Sequence, residues 1–145
     1  MPDAISFSLA GEPNGKGRAR FRRVKPKGKP EFVSTYTPEK TRNYSAALRM
    51  AAQEAMNGRA PFYGPVKVVV IACFGIPASF PKKRRQMAEE GRIYPTKKPD
   101  IDNICKHFDA LNTVVWTDDK NIVSCTVIKR YSEIPELQIV VAEEI

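Results

Sequence analysis

Ile5, Phe7 and Leu9 alternate with Ser6, Ser8 and Ala10 and stop at Gly11, the period-two pattern of a half-buried strand. Between Lys16 and Lys29 the pattern disappears. Eight basic residues and no acidic one, interspersed with Gly17, Pro26 and Gly28, predict a mobile basic loop or hairpin. Thr37-Pro38-Glu39 predicts a helix start, with Thr37 as cap and Pro38 in the first turn, where its missing N–H costs nothing. Tyr44, Ala47, Leu48, Ala51 and Ala55 then recur at three- and four-residue steps as a core-facing stripe, and Asn57-Gly58 ends it. Val66 to Phe74 is a β-branched run after Pro65 and predicts a central strand covered on both faces. Ser79 to Gly91 predicts a short charged helix. Pro99 disfavours a helical Lys98, so Asp100 enters from an extended segment and a helix follows over Asn103 to Leu111. Ile122 to Ile128 and Leu137 to Val141 alternate and predict two closing strands, read as a hairpin.

That order predicts an α+β fold: one two-layer domain over residues 1–145 with a mixed sheet, helices mainly on one face, and a basic loop at about residues 12–36. A chain of 145 residues, 42% of them apolar, can bury an ordinary core.

Charge changes the picture from fold to partner. The formal net charge is +8, divided as +13 over residues 1–99 and −5 over residues 100–145. One part is suited to an anion and the other gathers carboxylates, which phosphate binding alone does not need. Lys16, Arg18, Arg20 and Arg22 alternate, so an extended arm presents four cations on one side, with Arg23 beside them. Lys82, Lys83, Arg84 and Arg85 open their helix while Glu89 and Glu90 close it, an order that opposes the helix dipole and points to an external anion. Lys97 and Lys98 add two cations just ahead of the acidic segment. The bland alternative is a solvated basic face.

Cys73, Cys105 and Cys125 are odd in number, lack CxxC spacing and sit in apolar surroundings, which predicts reduced, buried thiols in a cytoplasm. The longest uncharged stretch, Val68 to Phe80, is too short and too broken to span a bilayer, so no membrane partner is expected. No P-loop, dinucleotide turn or Gly-x-Ser-x-Gly is present, so neither a nucleotide cofactor nor serine chemistry is expected.

Two acidic pairs are the candidate chemistry. Asp100 and Asp102 lie two apart, so in an extended segment both carboxylates face one way, and Lys106 follows Asp102 by one helical turn. A structural reading, with Asp102 as a helix cap and Lys106 as a solvent-facing lysine, explains that pair equally well. Asp118-Asp119 taken singly is an ordinary turn. Together, aspartates from separate segments meet the demand of a hard cation such as Mg²⁺ for several oxygen ligands. His107 is the only histidine, which argues against zinc and leaves a surface or structural role. Asp109 is given no catalytic role.

Lys98-Pro99-Asp100-Ile101-Asp102-Asn103 with Lys106, then Asp109-Ala110-Leu111, then Asp118-Asp119 before Ile122-Val123, resemble the RusA family of Holliday-junction resolvases. The segment Gly11 to Phe21 with Arg18-Ala19-Arg20, and the helix from Pro38, look like that family's opening. The spacings after Lys106 and before Asp118 are shorter than the family's pattern, which bears on helix phase rather than on the carboxylates. The resemblance implies a RusA-like homodimer of bacterial or phage type that cuts four-way junctions. It implies Asp100, Asp102 and Asp119 as metal-binding catalytic carboxylates, Asp118 as an accessory ligand, Lys106 as the essential lysine, and Mg²⁺, replaceable by Mn²⁺, as the ion. The rival expectations are a nuclease for flaps or other branched DNA, and a junction-binding module without catalysis.

Overall fold

The structure, a computed structural model, describes residues 3–17 and 20–144. Among them the strands are β1 (Ala4–Ala10), β2 (Arg20–Val24), β3 (Phe32–Tyr36), β4 (Val66–Gly75), β5 (Ile122–Ser132) and β6 (Glu136–Glu143). The α-helices are α1 (Glu39–Met56), α2 (Lys82–Glu89) and α3 (Ile101–Cys105), and a tighter 3₁₀ segment over Lys106–Leu111 continues α3.

A four-stranded mixed sheet runs in the order β1-β6-β4-β5, with β4 and β5 parallel and the other neighbours antiparallel. β5 and β6 follow each other in sequence, yet β4 lies between them, so the closing strands are not a hairpin. β4 and β6, whose apolar rows are the most completely buried, take the two interior positions.

β4 is fully buried on one face and only partly on the other. Val66, Val68, Val70, Ala72 and Phe74 are buried on the first, while on the second Lys67 is exposed, Val69 and Ile71 are half-covered and Cys73 alone is buried. Leu137, Ile139 and Val141 of β6 extend the buried row, and Val140 and Ile128 lie on the other face, partly in solvent. The expectation of cover on both faces is corrected: β-branched density does not distinguish a strand sandwiched by helices from one with a single packed face.

Helix α1 packs against β1 and against the 3₁₀ segment. Its buried stripe is Thr41, Leu48, Ala52 and Met56, with Tyr44, Ala47, Ala51 and Ala55 on its flank. The expected cap is also corrected. Pro38, not Thr37, occupies the N-cap position and no side chain caps the helix. The predicted stop holds, with Asn57 and Gly58 both left-handed at φ 47° and 80°.

The basic stretch forms the hairpin rather than the loop: β2 and β3 pair as a two-stranded ribbon separate from the main sheet. Helix α2 is shorter than Ser79–Gly91 and starts after Pro81. No helix among the described residues is long and apolar enough to cross a membrane.

Candidate functional site

Asp100 is extended, at φ −76° and ψ 166°, and its Oδ1 accepts a hydrogen bond from the Asn103 backbone N–H at 2.8 Å, so it caps α3. Asp102 is therefore already inside the first turn. It does not share an extended strand with Asp100, and its side chain is 79% exposed. The predicted one-turn step holds, because Lys106 Nζ lies 3.3 Å from Asp102 Oδ2 and donates to Asn103 Oδ1 at 3.1 Å. The cap role that competed for Asp102 belongs to Asp100 instead.

The second acidic pair is placed by packing that no local motif announces. Leu111 and Trp116 are fully buried, and Trp116 Nε1 donates to Asn112 Oδ1 at 2.8 Å. Thr117 N–H reaches the Phe62 carbonyl at 2.9 Å, fixing the chain just before Asp118. Arg49 of α1 donates to the carbonyls of Ala110 at 3.0 Å and Asn112 at 2.9 Å, and to Thr113 Oγ1 at 3.1 Å. Asp118 accepts from the Lys120 backbone N–H at 3.0 Å, and a short 3₁₀ turn, Asp119–Asn121, leads into β5.

These segments enclose an open cavity of about 370 Å³ lined by Lys16, Gly17, Cys105, Lys106, Asp109 and Asp119. The first part of the basic arm forms its lid. Lys16 N–H bonds to the Asn103 carbonyl at 3.0 Å, the Lys16 ammonium pairs with the Asp109 carboxylate, and Gly17 N–H bonds to Thr41 Oγ1 at 3.0 Å. Gly15 is required by proximity: a Cβ there would stand 2.9 Å from Pro99 Cβ and 3.0 Å from Asn103 Cβ. The cavity thus joins Asp119 and Lys106, as expected, and adds Asp109 and Lys16, which were not assigned to it. Asp100 and Asp102 are not in its lining. Among the described residues no three Asp, Glu, His or Cys side chains stand close enough to ligate one ion. Asp109 was legible in principle, since it follows Lys106 by three residues and shares its helical face.

Asp119 sits above the usual carboxylate range through desolvation, a hydrogen bond with Asp118, and the negative charges of Asp118 and Asp109. Asp118 is lowered, chiefly by the Lys120 backbone N–H. Crowded carboxylates of this kind favour a shared proton or a bound cation. Burial and the Cys125 thiol push Cys105 up to about 11, which removes it as a nucleophile. All three cysteines are free, but of the expected buried thiols Cys73 alone is buried: Cys105 is half-buried and Cys125, on the edge strand β5, is exposed. His107 is fully buried and structural, its Nδ1 2.8 Å from Ser45 Oγ and its ring tilted on Tyr44.

The candidate DNA-binding residues divide. Arg20 and Arg22 share one face of the ribbon, Arg23 lies on the other beside Glu31 at 3.3 Å, and Arg18 is outside the described residues. The single-sided row of four is thereby corrected, since Lys16 turns inward to Asp109. Arg84 stacks 4.6 Å from the Phe80 ring centroid and Arg85 donates to the Pro77 carbonyl at 3.1 Å, so both have local roles besides any external anion. Lys82, Lys83 and Lys98 are exposed, and Lys97 lies over Phe74 at 5.7 Å.

A basic α+β chain that sets the carboxylates of Asp109 and Asp119 and the ammoniums of Lys16 and Lys106 around an open cavity, with further exposed cations on the β2–β3 ribbon and on α2, has the charge chemistry suited to a phosphate-bearing polymer. The family described as endodeoxyribonuclease RusA matches residues 10–142, and the chain belongs to that family. It is also similar to a Bacillus subtilis (strain 168) protein, the uncharacterized protein YqaN, at 33% identity over 146 residues, covering 97% of each chain.

Proposed function

We propose that the protein is a Mg²⁺-dependent endodeoxyribonuclease that resolves four-way DNA junctions, two copies each hydrolysing one phosphodiester. The observation that carries this reading is the pairing of Lys106 with Asp102 beside a cavity holding Asp119, in a chain of the RusA family. The donor chemistry is that of a hard divalent ion: Asp100 and Asp102 on one segment and Asp118 and Asp119 on another offer carboxylate oxygens, which would have to draw together to hold one ion, and Asp119, raised by desolvation and then by Asp118 and Asp109, would be eased by such a charge. When bound, Mg²⁺ (or Mn²⁺ in its place) supplies Lewis-acid stabilisation and a more acidic water. Asp102, its side chain 79% exposed, can turn toward the substrate side once its pairing with Lys106 is broken. Lys106, released from Asp102, places its ammonium against the non-bridging oxygens as charge develops on the phosphate. Lys16 does the same from the lid once it exchanges the Asp109 carboxylate for a substrate phosphate. A junction has near two-fold symmetry, so a C2 pair of sites matches its two scissile strands.

A binding role without cleavage has one observation in its favour: ammoniums already neutralise Asp102 and Asp109. Asp102→Asn separates the two. The hydrolytic reading expects the variant to bind a four-way junction at least as tightly as the parent while its cleavage in Mg²⁺ falls by about 10²-fold or more, a loss of several kcal/mol. Cleavage by the variant at the parent rate, or cleavage by the parent in chelator, would refute it. Flap and plain duplex substrates in the same assay establish which branch is preferred.

A further inference from the structure

The ribbon β2–β3 is the part of the molecule that the cleavage reading does not explain. Among the described residues it makes no extensive packing with another element, and both its faces meet solvent. Two-stranded ribbons are at best marginal by themselves in water. This one nevertheless exposes large apolar side chains: Phe21 is 72% exposed, Val33 63%, Phe32 52% and Tyr36 40%. Clustered exposed aromatics of this kind mark a contact surface.

The register separates two faces. Phe21, Arg23, Val33 and Thr35 share one, and Arg20, Arg22, Phe32 and Tyr36 share the other, where the Arg22 guanidinium lies 5.5 Å from the Tyr36 ring centroid. Arg20, Arg22, Arg23, Lys25, Lys27 and Lys29 belong to the same stretch of chain, in which Glu31 is the one acid between Arg20 and Tyr36. Aromatic rings among cations fit a polyanion whose units have flat apolar faces, which is a nucleic acid.

Position narrows the role. Gly17 lines the carboxylate cavity, and Phe21 is four residues further on. At about 3.6 Å per residue at most, the Phe21 Cα stays within about 14 Å of Gly17. A DNA strand advances about 3.4 Å per nucleotide, so the Phe21 backbone lies within about four nucleotides of a phosphate held at Gly17. Inserting an apolar side chain between stacked bases is costly in continuous duplex and least costly where stacking is already interrupted, as at a branch.

We propose that the ribbon is a branch-reading wedge: Phe21, backed by Val33 on the same face, enters the interrupted base step of a branched DNA while Arg20 and Arg22 on the opposite face hold flanking phosphates. This inference rests on the nuclease reading and deepens it, because it makes Phe21 a specificity-determining residue that sets where the cavity meets the strand. Phe21 is exposed and far from the core, so replacing it leaves the fold intact.

The test uses the full chain with Phe21→Ala and Phe21→Trp, without divalent metal, on a four-way junction carrying a fluorescent aminopurine either at the branch or in the middle of one arm. The parent and Phe21→Trp should change the signal of the branch probe and not of the arm probe. Phe21→Ala should lose that change and lose about tenfold in preference for junction over duplex, with duplex affinity held within about twofold. A Phe21→Ala protein that keeps both the branch signal and the preference overturns the wedge. So does a ribbon that responds to phosphatidylserine vesicles and not to the junction. Failure of the parent to cut junctions in Mg²⁺ sinks the nuclease reading itself, whereas a parent that cuts beside an unaltered Phe21→Ala sinks only the wedge.

Discussion

Gly15→Ala tests whether the arm is part of the site's geometry. The new methyl would stand 2.9 Å from Pro99 Cβ and 3.0 Å from Asn103 Cβ, where ordinary carbon contacts are about 3.5 to 4.0 Å. Both neighbours are bound to the backbone of the acidic segment, so the arm itself must retreat by about 0.6 to 1 Å. The Lys16 N–H to Asn103 carbonyl bond, now 3.0 Å, then stretches past the range of a hydrogen bond. Overpacking of this kind costs about 1 to 3 kcal/mol and the lost bond about 0.5 to 1.5 kcal/mol more. Lys16 and Gly17 move with it, and a displacement near 1 Å beside reacting groups lowers turnover by up to about 10²-fold. Urea unfolding measures the first effect, and kcat and KM on a cleaved junction measure the second. Gly64→Ala is the control, because open space surrounds its Cβ and the change should stay within about 0.5 kcal/mol. If Gly15→Ala unfolds at the same urea concentration as the parent, the packing reasoning is wrong. A destabilised variant with unchanged kcat would show instead that the lid plays no part in turnover.

Arg49→Ala removes a guanidinium that holds two backbone carbonyls and the Thr113 hydroxyl, and should lower stability by about 2 to 3 kcal/mol in urea unfolding, with Arg49→Lys recovering less than half because an ammonium cannot span that fork; full recovery by lysine would refute the fork. Burial holds the His107 imidazole below its ordinary pKa, with the Asn14 and Gly15 backbone offsetting part of that. The unfolded chain therefore binds the proton more readily than the folded one. The stability this neutral imidazole confers is complete above about pH 6.5 and is lost as pH falls below it, by at most about 1.4 kcal/mol per pH unit. His107 is the only histidine, so a flat urea midpoint between pH 6.5 and 5.5, above most carboxylate titrations, would contradict the assignment.

What the chain determined locally is what short-range physics controls. Alternation specified β1, the three- and four-residue stripe specified α1, and Asn57-Gly58 specified where it stops, because side-chain direction and left-handed turns depend on residues a few positions apart. The one-turn contact of Asp102 with Lys106 and the acidic turn before β5 were legible for the same reason. Tertiary structure decided the rest. Periodicity cannot say that β4 inserts between β5 and β6, since strand order follows from which apolar rows must be covered together. Asp109 and Lys16 meet across 93 positions of sequence because Gly15 lets the arm lie directly on Pro99 and Asn103. The alternating arginines gave no sign that their ribbon stands free of the body, because a strand that packs on nothing has the same two-residue period as one that packs on a core.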